Sequence, residues 1–418
     1  MSDLIPDGWA EHRQGDVADF SNGKAYKLTE WEEVGTPVIR LQNLTGSGKN
    51  YYYSNLKLPD RQYCKSGDLL YMWSATFGPH IWKGPKAIYH YHIWKITCNE
   101  IDLTKGFLYQ LLGYKTAEWL NQSNGMGILH ITKGGMEELK LILPPLPEQQ
   151  KIAAILTSVD EVIEKTQAQI DKLKDLKTGM MQTLLLPTEH GGVGIDGKPH
   201  TEFKDSPVGR IPKGWEVVKF KDIFQSYKYG PRFSSKDYDP SGNVKTIRGT
   251  DLSSNGIIKY RQVPVAKLDS KLVEQNLLKN GDLVMITTAD CGATAVFESQ
   301  SIPFIASAYA IKLIPKQGLN SKYINYFMQT DDASSQVDSF IRKGTVANLP
   351  GSDVMSITLA LPSINEQDKI VQILEQLDSN IYLKLESLES NSRIKKALMQ
   401  DLLTGKVRVN VSSEASGH

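Results

Sequence analysis

Acidic residues are absent from residues 69–99, a stretch where Lys83, Lys86, Lys95, His80, His90 and His92 are interleaved with Tyr71, Trp73, Phe77, Trp82, Tyr89, Tyr91 and Trp94. The chain as a whole is nonetheless balanced, with 48 Lys and Arg against 47 Asp and Glu and a formal net charge of +1. The total therefore excludes a polycation, and any affinity for a polyanion has to come from how the charges are distributed. Cysteine is scarce: Cys64, Cys98 and Cys291 cannot build a disulfide framework. No apolar run approaches the roughly 20 residues of a membrane-spanning helix. The opening Met1-Ser-Asp-Leu-Ile-Pro-Asp lacks the basic and apolar regions of an export signal. With 40% hydrophobic and 23% charged residues, the expectation is a globular cytoplasmic protein with no membrane partner.

Catalytic signatures are missing as well. Gly192-Val-Gly-Ile-Asp-Gly197 fits the dinucleotide fingerprint, but those glycines grip a pyrophosphate only between a strand and a helix. Here a helical pattern precedes them and Lys-Pro-His-Thr-Glu-Phe-Lys-Asp follows, which describes a linker. Gly46-Ser-Gly-Lys49 hints at a phosphate loop, yet Asn43 stands where the first glycine belongs and Asn50 where Ser or Thr would hold magnesium. Pro144-Pro145 is followed by Leu146 rather than the aromatic of an amino-methyltransferase site. Cys64, His90, His92 and Cys98 lack paired metal-ligand spacing, and no Ser-His-Asp order or carboxylate pair can be singled out. We expect no catalytic residue and no metal.

What is present is a duplication. Leu143-Pro-Pro-Leu-Pro-Glu-Gln-Gln-Lys-Ile-Ala-Ala-Ile-Leu156 returns as Leu361-Pro-Ser-Ile-Asn-Glu-Gln-Asp-Lys-Ile-Val-Gln-Ile-Leu374. Pro6-Asp-Gly-Trp9 returns as Pro212-Lys-Gly-Trp215, Ile39-Arg40 as Ile247-Arg248 and Gly67-Asp-Leu-Leu70 as Gly281-Asp-Leu-Val284. Two copies of about 200 residues are each large enough for a core, and two like halves suit a pseudo-two-fold arrangement.

Each copy ends in a long heptad pattern. Ile152, Val159, Thr166, Leu173 and Met180 form one series with Leu156, Ile163, Ile170, Lys177 and Leu184. Ile370, Leu377, Lys384, Asn391 and Leu398 form the other with Leu374, Ile381, Leu388, Lys395 and Leu402. Seams of this length call for a helical partner, and antiparallel pairing of the two helices satisfies both. Thr166, Lys384 and Asn391 lower stability but fix register, and Ser363-Ile-Asn365 in place of Pro-Leu-Pro is expected to loosen the start of the second helix.

The resulting fold class is α+β: two similar mixed α/β domains joined by two long antiparallel coiled-coil helices. The first domain covers residues 1–146, its helix 147–186, a linker 187–211, the second domain 212–364, its helix 365–404 and a polar tail 405–418. Apolar runs predict strands at 38–41, 69–73, 93–97, 139–143, 244–248, 283–288, 310–314 and 357–361, and helices at 107–120 and 321–329. Beside the acid-free stretch, Tyr227-Lys-Tyr-Gly-Pro-Arg-Phe233 and Phe340-Ile-Arg-Lys-Gly-Thr345 place basic and aromatic residues in predicted loops.

This chain resembles the specificity subunit of type I restriction-modification enzymes. The resemblance spans nearly all of it and rests on the two Glu-Gln helix starts, on Ile211-Pro-Lys-Gly-Trp215, and on the helix ends Met181-Gln-Thr-Leu-Leu185 and Met399-Gln-Asp-Leu-Leu403. It implies two target recognition domains, each reading one half of a bipartite, asymmetric double-stranded DNA site, with the helix pair setting the spacer. It implies as partners two modification subunits and the restriction subunits, which bring S-adenosylmethionine, ATP and Mg, so that this chain holds no cofactor. Contacts to the modification subunits are expected at Pro145, Glu148, Gln149, Glu366 and Gln367. From residue chemistry and predicted loops, the DNA-binding candidates are Lys24, Tyr26, Arg40, Gln42, Asn43, Trp73, Ser74, Thr76, His80 and Lys83 in the first half. In the second they are Lys228, Arg232, Arg248, Thr250, Asp251, Thr287, Thr288, Arg342 and Lys343. The alternative is a non-enzymatic coiled-coil scaffold with two protein- or glycan-binding domains, whose binding would depend little on salt.

Overall fold

The computed structural model describes residues 5–27, 30–48, 50–122, 132–186, 197–342 and 344–411. The chain forms two compact units, the first made of residues 1–168 and 385–418 and the second of residues 169–384.

In the first unit an antiparallel sheet runs in the order Ala18–Asn22, Ile93–Cys98, Leu69–Ser74, Thr76–Ile81. A second sheet runs Tyr52–Ser54, Thr36–Ile39, Ala87–Tyr89, Tyr63–Cys64, with its middle pair parallel. The apolar run Leu69–Ser74 sits between two cores, because successive side chains of a strand point to opposite faces. Leu69 and Tyr71 pack with Trp94, Ile96 and the helix residues Phe107, Leu108, Leu111 and Leu112, while Leu70 and Met72 pack with Ile39, Leu44 and Tyr89. That helix spans Lys105–Gln122. Strand Ala10–Arg13 pairs with Lys140–Leu143 and closes the domain where the long central helix, Leu146–Leu185, begins.

The second unit repeats this plan. One sheet runs Phe224–Tyr229, Ala310–Pro315, Leu283–Ile286, Thr294–Val296, and a smaller one Val265–Ala266, Val244–Ile247, Phe304–Ala306, again with one parallel pair. Leu283 and Met285 face a core with Tyr323, Ile324 and Phe327, whereas Val284 and Ile286 face one with Ile247 and Phe304. Strand Glu216–Lys219 pairs with Thr358–Leu361, ahead of the distal helix Ile364–Leu402. That helix starts at the residue equivalent to Leu146, so Ser363-Ile-Asn365 does not shorten it; Ser363 accepts the Glu366 and Gln367 amides.

Every one of the twenty heptad positions is buried or partly buried. Within the first unit Lys395 reaches Asp160 at 2.5 Å, and within the second Lys177 reaches Asp378 at 2.6 Å. Reciprocal pairs of this kind form only between antiparallel helices in one register. Asp160 also accepts from Gln110 on helix Lys105–Gln122 at 2.7 Å, and Asp378 from the Tyr326 hydroxyl on helix Ser321–Phe327 at 2.7 Å. Each globular domain is thereby tied to the aspartate that holds the seam lysine.

The repeated Glu-Gln motif is fully engaged inside each unit. Gln149 accepts from the Thr104 amide and donates to the Asp102 and Pro144 carbonyls; Gln367 accepts from the Asn320 amide and donates to Pro362. Glu148 accepts from the Trp9 indole at 3.3 Å and from Arg408 through two bonds of 2.7 Å. Glu366 accepts from the Trp215 indole at 2.9 Å and meets His200 at 2.5 Å. All four are buried. The Pro-x-Gly-Trp entry and the Glu-Gln helix start are therefore two sides of one fastening, made twice.

Candidate nucleic-acid interface

In the first unit, aromatic rings gather around the end of strand Thr36–Ile39. Trp31 stacks on Tyr26 with centroids 4.5 Å apart and leans on Tyr52 at 4.7 Å, while Arg40 lies 5.0 Å from the Tyr52 centroid and 5.8 Å from that of Trp31. Lys24 stands over Tyr26 and pairs with Glu30 at 3.5 Å. His90, Tyr91 and His92 link this group to Trp73, whose indole N–H donates to the Tyr91 carbonyl at 2.9 Å. Arginine against the exposed Tyr52 ring and the half-buried Trp31 is a surface on which bases or phosphates can be held.

Four of the sequence candidates, Lys24, Tyr26, Arg40 and Trp73, meet here, with Ser74 and Thr76 at the adjoining hairpin tip. Gln42 and Asn43 follow Arg40 on helix Leu41–Thr45. The Asn43 side chain is occupied, accepting from the Arg40 amide and donating to Gly48 and Asn50. Lys83 lies elsewhere, paired with Glu164 of the central helix at 2.9 Å, and His80 sits partly buried on strand Thr76–Ile81. Trp31, Tyr52, Tyr91 and His92 were not among the candidates. Trp31 and Tyr52 precede the acid-free stretch, and only the fold brings them to it.

The second unit presents a cleft of ≈ 980 Å³ in the equivalent region, lined by Arg232, Phe233, Arg248, Thr250, Thr288 and Tyr309 among others. Arg342 borders it, because the backbones of Arg342 and Thr288 both bridge to Asn348. Asp251 is fully buried beneath Arg248. Thr287 is buried too, its hydroxyl donating to the Tyr309 carbonyl, and Lys228 donates to the Gln275 carbonyl away from the cleft. Lys343, Lys49 and residues 192–196 of the linker glycine motif lie outside the described residues. Among the described residues no group of three metal-ligating side chains occurs, and no helix is long and apolar enough to cross a membrane.

Two backbone features recur beside these surfaces. Ala75 and Ala289 hold φ of 59° and 66°, a left-handed conformation that costs an alanine about 1–2 kcal/mol. Gly23 and Gly230 pass so close to the chain that a Cβ would lie 2.3 Å from the Tyr89 carbonyl oxygen or 2.0 Å from that of Ala306. Both copies thus spend backbone strain and a close approach at the same place.

Burial, with His92 and Arg40 close by, pushes the His90 imidazole down to about 4. Its folded value lies below the ordinary value of about 6.5, so the unfolded chain takes up a proton that the folded chain refuses. Stability from this group is present above the unfolded value and is lost as pH falls from about 6.5 toward 4. His90→Gln is expected to flatten that part of the stability profile, measured by thermal melting between pH 7 and 4.5; an unchanged profile would assign the loss to other groups. At neutral pH His90 is thus an uncharged ring, leaving Arg40 and Lys24 as the cations here.

A family model described as the type I restriction modification DNA specificity domain matches the chain twice, over residues 6–175 and 212–395. The chain belongs to the type I restriction modification DNA specificity family. Among relatives in this family, the chain is 27% identical to the MjaVIII specificity subunit of Methanocaldococcus jannaschii, covering 97% of this chain and 94% of that protein. It is 26% identical to the EcoBI specificity subunit of Escherichia coli, covering 89% and 80%. Its fold matches the type I restriction-modification S subunit from M. genitalium with a TM-score of 0.59 at 14% identity, over 96% of this chain and 98% of that one. A chain from a structure on complex assembly and conformational transition of a type I R-M system matches at 0.55, with 17% identity and coverage of 97% and 100%. The two segments matched by the specificity model each comprise one globular domain and most of the helix that follows it.

Proposed function

We propose that this chain is the non-catalytic DNA reader of a type I restriction-modification complex, in which each globular domain recognises one half of a bipartite, asymmetric double-stranded site. The observation that carries the reading is the repeated arginine at the end of an equivalent strand, Arg40 after Thr36–Ile39 and Arg248 after Val244–Ile247, in a chain matched twice by the DNA specificity family. Arginine offers the bidentate fork that reads guanine in the major groove, and the surrounding rings and hydroxyls suit base edges and sugar-phosphate.

In this reading the helix pair sets the unread spacer and docks two modification subunits. Their S-adenosylmethionine supplies the methyl group for adenine, while restriction subunits supply ATP- and Mg-dependent cleavage in the cytoplasm. Because Glu148, Gln149, Glu366 and Gln367 are spent inside the chain, docking falls to the outer helix faces. Leu176 and Ile394 occupy equivalent positions and are 50% and 49% exposed, which suits two copies of one subunit.

Sequencing that detects methyladenine across the host genome, with and without this gene, tests the proposal. Loss of one split, asymmetric motif on deletion is the expected result. An unchanged map with the modification subunit expressed would reject it in favour of the protein- or glycan-binding scaffold, whose affinity would show little salt dependence.

A further inference from the structure

Arg248 and Arg40 occupy the same place in the repeat but are held by different means. The Arg248 Nε donates to Asp251 Oδ2 at 3.1 Å and its Nη2 donates to Oδ1 at 3.0 Å, a side-on, two-bond clamp. Asp251 is fully buried and is itself fixed, since Oδ2 also accepts the Arg248 amide at 2.9 Å. In the first unit Asn43 stands where Asp251 stands, capping the same turn through the Arg40 amide at 2.9 Å. Among the described residues no carboxylate pairs with Arg40, which rests on Tyr52 and Trp31 instead.

A guanidinium has a side edge, Nε with one Nη, and an end edge formed by the two Nη groups. The clamp uses the side edge and leaves the end edge, two parallel N–H donors, on a side chain that is 43% exposed and lines the ≈ 980 Å³ cleft. The clamp also cancels most of the arginine's charge. A neutralised, rigidly aimed fork is poorly suited to phosphate, which rewards net charge, and well suited to paired acceptors such as guanine O6 and N7. Ser307, whose buried hydroxyl has no partner among the described residues, lines the same cleft.

We propose that Arg248, aimed by Asp251 as its positioning residue, reads a guanine in the half-site of the second domain. This inference rests on the DNA-reading role proposed above.

The test uses the full chain in complex with its modification subunits, comparing wild type, Asp251→Asn and Arg248→Lys by methyladenine mapping. Asn at position 251 reproduces Asn43, so the cap survives while the second carboxylate oxygen is lost. Arg248→Lys keeps the charge and removes the fork from a partly exposed residue, covering the case in which Asp251→Asn fails to fold. Both variants should relax one G·C position of one half-site by roughly tenfold or more while the other half-site stays intact. Asp251→Asn should also steepen the fall of DNA affinity with salt, a change that a purely structural role would not produce. A wild-type motif with no G·C pair in that half-site, or variants whose motifs match the wild type at every position, would overturn the guanine assignment alone. A wild-type complex that methylates no bipartite motif would overturn the DNA-reading role beneath it.

Discussion

Replacing Asp378 with alanine is expected to destabilise the second unit by about 3 kcal/mol, measured by chemical denaturation of the purified chain. Asp378 accepts from Lys177 at 2.6 Å and from the Tyr326 hydroxyl at 2.7 Å, and the Lys177 ammonium also sits 5.2 Å from the Tyr326 ring centroid. Removing the carboxylate leaves a cation that is only 8% exposed without its counter-charge, together with a buried hydroxyl that has lost its acceptor. Loss of one partner of a buried pair costs about 3–5 kcal/mol. The lower end applies because a quarter of the Asp378 side chain is exposed. The double replacement Asp378→Leu with Lys177→Met should recover the part of the loss due to the unpaired cation, since no buried charge is then left alone, while the cost of the Tyr326 hydroxyl without its acceptor remains. A single variant as stable as the wild type would mean that the pair does not hold the seam.

This pair also marks where the sequence stops being readable. The heptad series exposes Lys177 and Lys395 as equivalent seam positions, because a repeat of 3.5 residues is visible in one dimension. Their partners Asp160 and Asp378 lie outside both series, and only antiparallel pairing in one register puts them opposite the lysines. Strands such as Leu69–Ser74 and Leu283–Ile286 were legible as dense apolar runs because both faces are covered. Thr76–Ile81 was not, since Gly78 and Pro79 interrupt its pattern although the strand pairs along its whole length.

The candidate surfaces divide the same way. Arg40 and Arg248 stand out because the repeat aligns them. Trp31 and Tyr52 stay hidden because the fold, rather than the order of residues, brings them to Arg40. Asp251 is a DNA-binding candidate by residue type, but the fold buries it completely, and its clamp on Arg248 depends on burial that three residues of sequence do not reveal. The Glu-Gln echo reads from sequence as a surface shared by partners. Its buried bonds to Trp9, Trp215 and loop backbone give each repeat an internal reason to exist.

Inserting seven residues into both long helices, between Asp160 and Lys177 and between Asp378 and Lys395, should lengthen the unread spacer by about three base pairs. Seven residues keep the heptad phase and both lysine-aspartate pairs, and they add about 10 Å of helix, against 3.4 Å per base pair. Three base pairs also turn the second half-site by roughly 100° around the duplex, so methylation at the longer motif should be slower than at the natural one. An insertion in one helix alone cannot keep both Lys177 on Asp378 and Lys395 on Asp160, and it should abolish split-site recognition rather than shift it. Methyladenine mapping of cells carrying each variant separates these outcomes. A spacer that stays fixed while the paired insertion still methylates would show that something other than helix length sets the distance between half-sites.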